Sequence, residues 1–111
     1  MSIKDQVKQN LLHYNLWTQV TEVELPSSTL LKGIPKEPLL NDETHDIPTQ
    51  ELVFPVSIEE KVTPRRLETV FNEMQSHSGT RPKRIVIGIV NDDSTVVYYF
   101  IHDGVYKPKK N

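Results

Sequence analysis

The stretch Arg84–Asn111, "RIVIGIVNDDSTVVYYFIHDGVYKPKKN", decides the fold. In "RIVIGIV" residues of both parities are apolar, the pattern of a strand buried on both faces. "NDDS" is turn-rich, and "TVVYYFI" is again apolar on both faces. Tyr98 and Tyr99 therefore point to opposite sides, one toward the core and the other available to a partner. His102-Asp103-Gly104 forms a second turn in which Gly104 supplies a positive φ. Val105 and Tyr106 open a short last strand that Pro108 ends. A three-strand meander results, and its first two strands are expected at the centre of the sheet. A plain hairpin needs no more than Asn-Gly at its tip, so the pair Asp92-Asp93 asks for a reason.

Working outward, "TPRRLETVFNEMQSHSGT" (63–80) reads as a helix. Thr63 caps it, Pro64 sits in the first turn, and Leu67, Val70, Phe71 and Met74 form the apolar stripe. This helix packs across the sheet. Before it, "ELVFPVSI" (51–58) is a strand in which Leu52, Phe54, Val56 and Ile58 alternate with Val53, Pro55 and Ser57. Pro55 places that strand at an edge or beside a bulge. At the N-terminus Ser2 caps a helix with Asp5 in its first turn, and Ile3, Val7, Leu11 and Tyr14 make its stripe. A strand follows from Trp17 to Leu25, with Trp17, Val23 and Leu25 on one parity. Between about 26 and 50, Pro26, Pro35, Pro38 and Pro48 break periodicity; the segment reads as a flexible loop holding at most a short strand at Leu30–Leu31. The fold class is α/β, an α+β sandwich of a mixed sheet with a C-terminal meander and two helices, and residues 1–111 form a single domain.

Composition narrows the function. The chain has 111 residues, 36% hydrophobic and 25% charged, a net charge of −2 and no cysteine. Disulfides and thiolate metal sites are excluded. No apolar run approaches the roughly 18 residues that span a bilayer, so no membrane insertion is expected. The polar start "MSIKDQVKQN" predicts no secretory leader. An acidic balance disfavours nucleic-acid binding through an overall basic surface and leaves local contacts. Arg65 and Arg66 oppose the helix dipole in the first turn, so they read either as a solvated pair or as contacts for a phosphate or acidic partner. Lys107, Lys109 and Lys110 are either a solvated tail or RNA-phosphate contacts. His13 and His102 read as surface or capping residues, and His77 suits a helix C-terminus.

The two ends of the chain together resemble a known family. "KRIVIGIVNDDSTVVYYFIHDGVYKPKKN" looks like the C-terminal signature of the Sen-fifteen family, the smallest subunit of the eukaryotic tRNA-splicing endonuclease, with fungal members nearest in texture. "VKQNLLHYNLWTQVTEVEL" is similar to that family's opening helix and strand. The resemblance covers roughly Ser2–Leu25 and Leu52–Asn111 and implies the fold of the archaeal tRNA-intron endonuclease catalytic domain. It implies that Asn91, Asp92 and Asp93 form a loop docking into a basic cleft on the opposite dimer. Val105, Tyr106 and Lys107 would be a dimer edge strand. Charge-complementary docking and edge-strand pairing are independently plausible for such elements.

The same resemblance implies a non-catalytic role in a heterotetramer of two catalytic and two structural subunits. That enzyme cuts precursor tRNA at both splice sites, leaving 2′,3′-cyclic phosphate and 5′-hydroxyl ends without a metal or other cofactor. Its catalytic relatives use tyrosine, histidine and lysine. Lys83 falls near the lysine position, but "ELVFPVSI" carries neither of the others, and the nearest histidine, His45, lies in the loop. Arg65, Arg66, Lys109 and Lys110 remain the possible RNA contacts. The implied partners are the other subunits and, through them, precursor tRNA, in the nucleus or on the cytosolic face of the mitochondrial outer membrane. In isolation a homodimer through the edge strand is expected. The rival readings are a stand-alone RNA-binding module and a small nuclease acting alone.

Overall fold

A computed structural model describes residues 2–36 and 50–104. In chain order these form α1 (Ile3–His13), β1 (Thr18–Glu24), β2 (Thr29–Ile34), β3 (Glu51–Ser57), α2 (Pro64–Ser78), β4 (Arg84–Val90) and β5 (Val96–His102). The five strands make one mixed sheet in the order β1-β2-β3-β4-β5. Every neighbouring pair is antiparallel except β3 and β4, which run parallel and are joined through α2.

The two helices cover opposite faces. Val7 and Leu11 of α1 pack with Trp17, Leu31, Val53, Val86 and Val90. Leu67, Val70, Phe71 and Met74 of α2 pack with Leu30, Phe54, Val56, Ile85 and Ile87 on the other side. The alternating parities of β3 and β4 thus feed two cores, which is why both parities of "RIVIGIV" are apolar. At Gly88 the sheet and α1 come so close that an added Cβ would meet Tyr98, Val53 and Val7 atoms at 3.1–3.2 Å.

Local signals set the helix ends. The Ser2 hydroxyl accepts from the Asp5 N–H, and Thr63 does the same for Arg66, both at 3.1 Å. Helix α2 runs on to Ser78 and stops at Gly79, whose φ of +83° lets its N–H close on the Gln75 carbonyl at 2.8 Å. Tyr14 departs from the expected stripe. Helix α1 ends at His13, and Tyr14 caps it and is 82% exposed.

Two further expectations are corrected, and a third lies partly outside the described residues. The parity shared by Trp17, Val23 and Leu25 does not put them on one face. Thr18 pairs with Ile34 but Thr21 with Lys32, so β1 carries one extra residue, with Gln19 at φ +55°. This bulge sends Trp17 to the α1 core while Val23 and Leu25 join the α2 core. Next, the loop expected at 26–50 contains the full strand β2; its residues 37–49 lie outside the described ones. Among the described residues β5 forms one edge of the sheet and β1 the other, and on β5 Val97, Tyr99 and Phe100 are 39%, 56% and 37% exposed. Apolar residues on both faces fit a fully buried strand and an edge strand awaiting a neighbour equally well. The third meander strand, Val105–Lys107, lies outside the described residues.

Pro55 sits in the middle of the sheet order, yet it meets the local condition that its missing N–H imposes. The β2–β3 ladder runs only from Glu51 to Val53, so beyond that point β3 pairs with β4 alone.

Candidate functional site: the acidic hairpin tip and the outer strand

The β4–β5 hairpin brings Asn91, Asp92 and Asp93 together at one end of the sheet and gives them separate tasks. The Asn91 N–H donates to the Thr95 carbonyl at 2.8 Å, and its side-chain amide donates to Thr95 Oγ1 at 3.0 Å. Asp93 Oδ1 accepts from the Thr95 N–H and hydroxyl at 3.1 and 2.6 Å. These bonds to Thr95 hold the Asp93 carboxyl below its ordinary range. Ser94 turns the chain with φ +71°. Asn91 and Asp93 therefore build the turn. Asp92 is exposed and makes no hydrogen bond or ion pair among the described residues, so its charge faces water. The Asp93 carboxylate stays ionised at neutral pH.

From this tip β5 runs along one border of the described sheet, paired with β4. Tyr98 turns toward α1 and donates to Asn10 Oδ1 at 2.6 Å, while Tyr99 stands in solvent on the other face. Burial raises the Tyr98 pKa. Within Val96–Ile101 there is no charge and no proline, the devices that usually keep an edge from pairing.

The far end of β5 is fastened by two arginines that sequence reading did not single out. Arg81 holds Asp103 through two bonds at 2.8 and 2.9 Å, Asn72 at 2.6 Å and Glu68 at 3.0 Å, and lies over the Phe71 ring at 5.4 Å. Arg84 meets Glu51 bidentately at 3.2 and 2.5 Å and covers Phe100 at 5.2 Å. A signal for the second pair was present. "ELVFPVS" and "RIVIGIV" align position for position as parallel strands, with Val53 beside Val86, which sets their first residues, an acid and a base, side by side.

The other expected site residues lie apart from the tip. Arg66 is half-buried with its guanidinium 5.3 Å over Phe54 and its Nε enclosed without a hydrogen-bond partner. That stacking eases its position in the first turn of α2; Arg65 is exposed beside it. Lys83 precedes β4 with its side chain exposed, and its carbonyl accepts from the Asp103 N–H at 2.8 Å. His102 stacks on Phe100, and His77 lies in the last turn of α2. Val105, Tyr106, Lys107, Lys109, Lys110 and His45 fall outside the described residues. Among the described residues no group of His, Asp and Glu is placed to hold a metal ion.

What these surfaces define is a small doubly covered α/β protein whose distinctive chemistry lies on an exposed acidic turn and an apolar sheet border. The family of Sen15 proteins matches residues 6–111, and the chain belongs to that family. It is 37% identical over 109 residues to the tRNA-splicing endonuclease subunit SEN15 of Eremothecium gossypii, covering 95% of this chain and 87% of that one. It is 31% identical over 107 residues to the probable tRNA-splicing endonuclease subunit sen15 of Schizosaccharomyces pombe, covering 86% and 71%. The probable tRNA-splicing endonuclease subunit tsp-1 of Neurospora crassa is 28% identical over 143 residues, covering 95% and 64%.

Proposed function

We propose that this chain is a non-catalytic structural subunit of a tRNA-splicing endonuclease. It completes a heterodimer with a catalytic neighbour, and two such dimers join to cut precursor tRNA at both intron boundaries, leaving 2′,3′-cyclic phosphate and 5′-hydroxyl ends. The observation that carries this reading is the similarity over most of the chain to a protein named as such a subunit. Two features support the assignment of surfaces. The edge strand expected at Val105–Lys107 would offer main-chain groups to a neighbouring strand, and β5 leaves the apolar side chains of Val97, Tyr99 and Phe100 exposed among the described residues. The acidic tip at Asn91–Asp93 suits a basic cleft on the other dimer. Isolated chains pair with themselves through Val105–Lys107. The complex works in the nucleus or at the cytosolic face of the mitochondrial outer membrane.

Reconstitution tests the reading. The isolated protein is expected not to cleave precursor tRNA, whereas the complex that contains it cuts at both boundaries. Lys83→Ala should leave both cuts intact. Loss of one cut with normal assembly would assign Lys83 to an active site. Binding of precursor tRNA by the isolated chain, without stable association with other subunits, would favour a stand-alone RNA-binding module.

A further inference from the structure

Between the end of α1 and the hairpin tip lies a groove of about 430 Å³, lined by Gln6, Gln9, Asn10, Tyr14 and Ser94. Its chemistry is polar and uncharged, with one aromatic face. Tyr14 is 82% exposed. The exposed Gln9 amide makes no hydrogen bond among the described residues. Asn10 Oδ1 is already occupied by the Tyr98 hydroxyl at 2.6 Å and by Asn15 Nδ2 at 2.8 Å. No cationic side chain lines the groove; Lys8 is held by Glu22 at 3.7 Å, and His13 is exposed without lining it.

Two sources of negative potential border this space. Asp92 and Asp93 immediately precede Ser94, and the groove adjoins the C-terminal end of α1, where helix carbonyls carry partial negative charge. A phosphate there would meet repulsion from both. An apolar side chain would leave the amide and hydroxyl groups unpaired. A flat cation matches all of them.

The geometry points to an arginine side chain of the partner subunit as the occupant, so that the docking surface extends from Asp92 onto α1. The guanidinium lies against the Tyr14 ring and donates to the Gln9 carbonyl and the Ser94 hydroxyl, while Asp92 balances its charge. Arginine fits better than lysine because its planar group both stacks and donates in a fork. This inference rests on the reading of the tip as a docking loop between dimers.

The test uses the reconstituted complex and follows the joining of heterodimers by sedimentation. Tyr14→Ala should weaken joining roughly fivefold, Tyr14→Phe should match the natural protein, and Tyr14→Lys should weaken joining further, most at low salt. Because Tyr14 stands in solvent, none of these should change the melting temperature of the isolated chain. The double substitution Asp92→Lys, Asp93→Lys separates the two ideas. If it leaves joining intact, the docking loop itself fails. If it blocks joining while Tyr14→Ala and Tyr14→Lys do not weaken it, the groove proposal alone fails. The proposal is also overturned if Tyr14→Ala lowers precursor-tRNA binding by the assembled complex without affecting joining, since Tyr14 would then stack on a base.

Discussion

Arg84 and Glu51 face each other across the parallel strands β4 and β3 as a bidentate ion pair, with side chains 14% and 6% exposed. Removing one partner strands the other charge away from water. Glu51→Ala should therefore cost roughly 3–5 kcal/mol in chemical denaturation. Replacing the pair by Leu and Met should come much closer to neutral, because a buried pair gains little over well-packed apolar groups. If Glu51→Ala unfolds at the natural denaturant midpoint, water reaches the pair freely and it is an ordinary surface contact.

Gly88 should tolerate no side chain. Its prospective Cβ neighbours at 3.1–3.2 Å belong to three packed elements, α1, β3 and β5. Gly88→Ala should cost about 1–3 kcal/mol and speed amide exchange along α1, which must lift to make room. Gly79→Ala meets nothing within 4 Å but sits at φ +83°, so it should cost only about 1 kcal/mol of backbone strain. Equal losses at the two positions would mean that α1 does not rest on the sheet as described.

The Tyr98 hydroxyl is predicted to give the fold an alkaline limit. Burial raises its pKa, and the hydroxyl donates to Asn10 at 2.6 Å. An unfolded tyrosine ionises near pH ~10. Above that point the unfolded chain releases a proton that the folded chain retains, so stability falls as pH rises; below it the contribution is constant. Tyr98→Phe should lose about 1 kcal/mol at neutral pH with the hydrogen bond and show a smaller decline above pH ~10. Melting temperatures measured from pH 7 to 11 check both parts, and an unchanged alkaline decline would rule Tyr98 out.

Much of the architecture was legible because local rules and global packing agree. Ser2, Thr63 and Gly79 mark helix ends by cap chemistry alone, and the double-sided apolar pattern of "RIVIGIV" announces two cores. The bulge in β1 was not legible. Gln19 adopts φ +55° without glycine to signal it, and one extra residue reverses the face of every side chain before it. The exposure of Val97 and Tyr99 on β5 was hidden for another reason: a sequence shows that apolar surface must be covered and is silent on which chain covers it. At the tip, "NDD" gave the charge, but only geometry divides Asp93, bound to Thr95, from the outward Asp92.

The border strand gives the last prediction. Val97 and Tyr99 lie on the α2 face of β5, opposite Ile89 and Ile87, and are 39% and 56% exposed. Lysine at both positions should cost the isolated fold at most about 1 kcal/mol, because neither side chain fills a core. Along a border meant for pairing the effect is larger, since two cations would have to be buried beside the incoming strand, the device by which natural edges avoid association. Val97→Lys with Tyr99→Lys should therefore keep the melting curve of the single chain while abolishing self-association and heterodimer formation. Substituting the same two residues by Thr, which suits a strand and carries no charge, should preserve both. Sedimentation of the isolated chain and pull-down with the other subunits supply the two readouts. Undiminished pairing by the double-lysine variant would move the assembly surface away from β5 altogether.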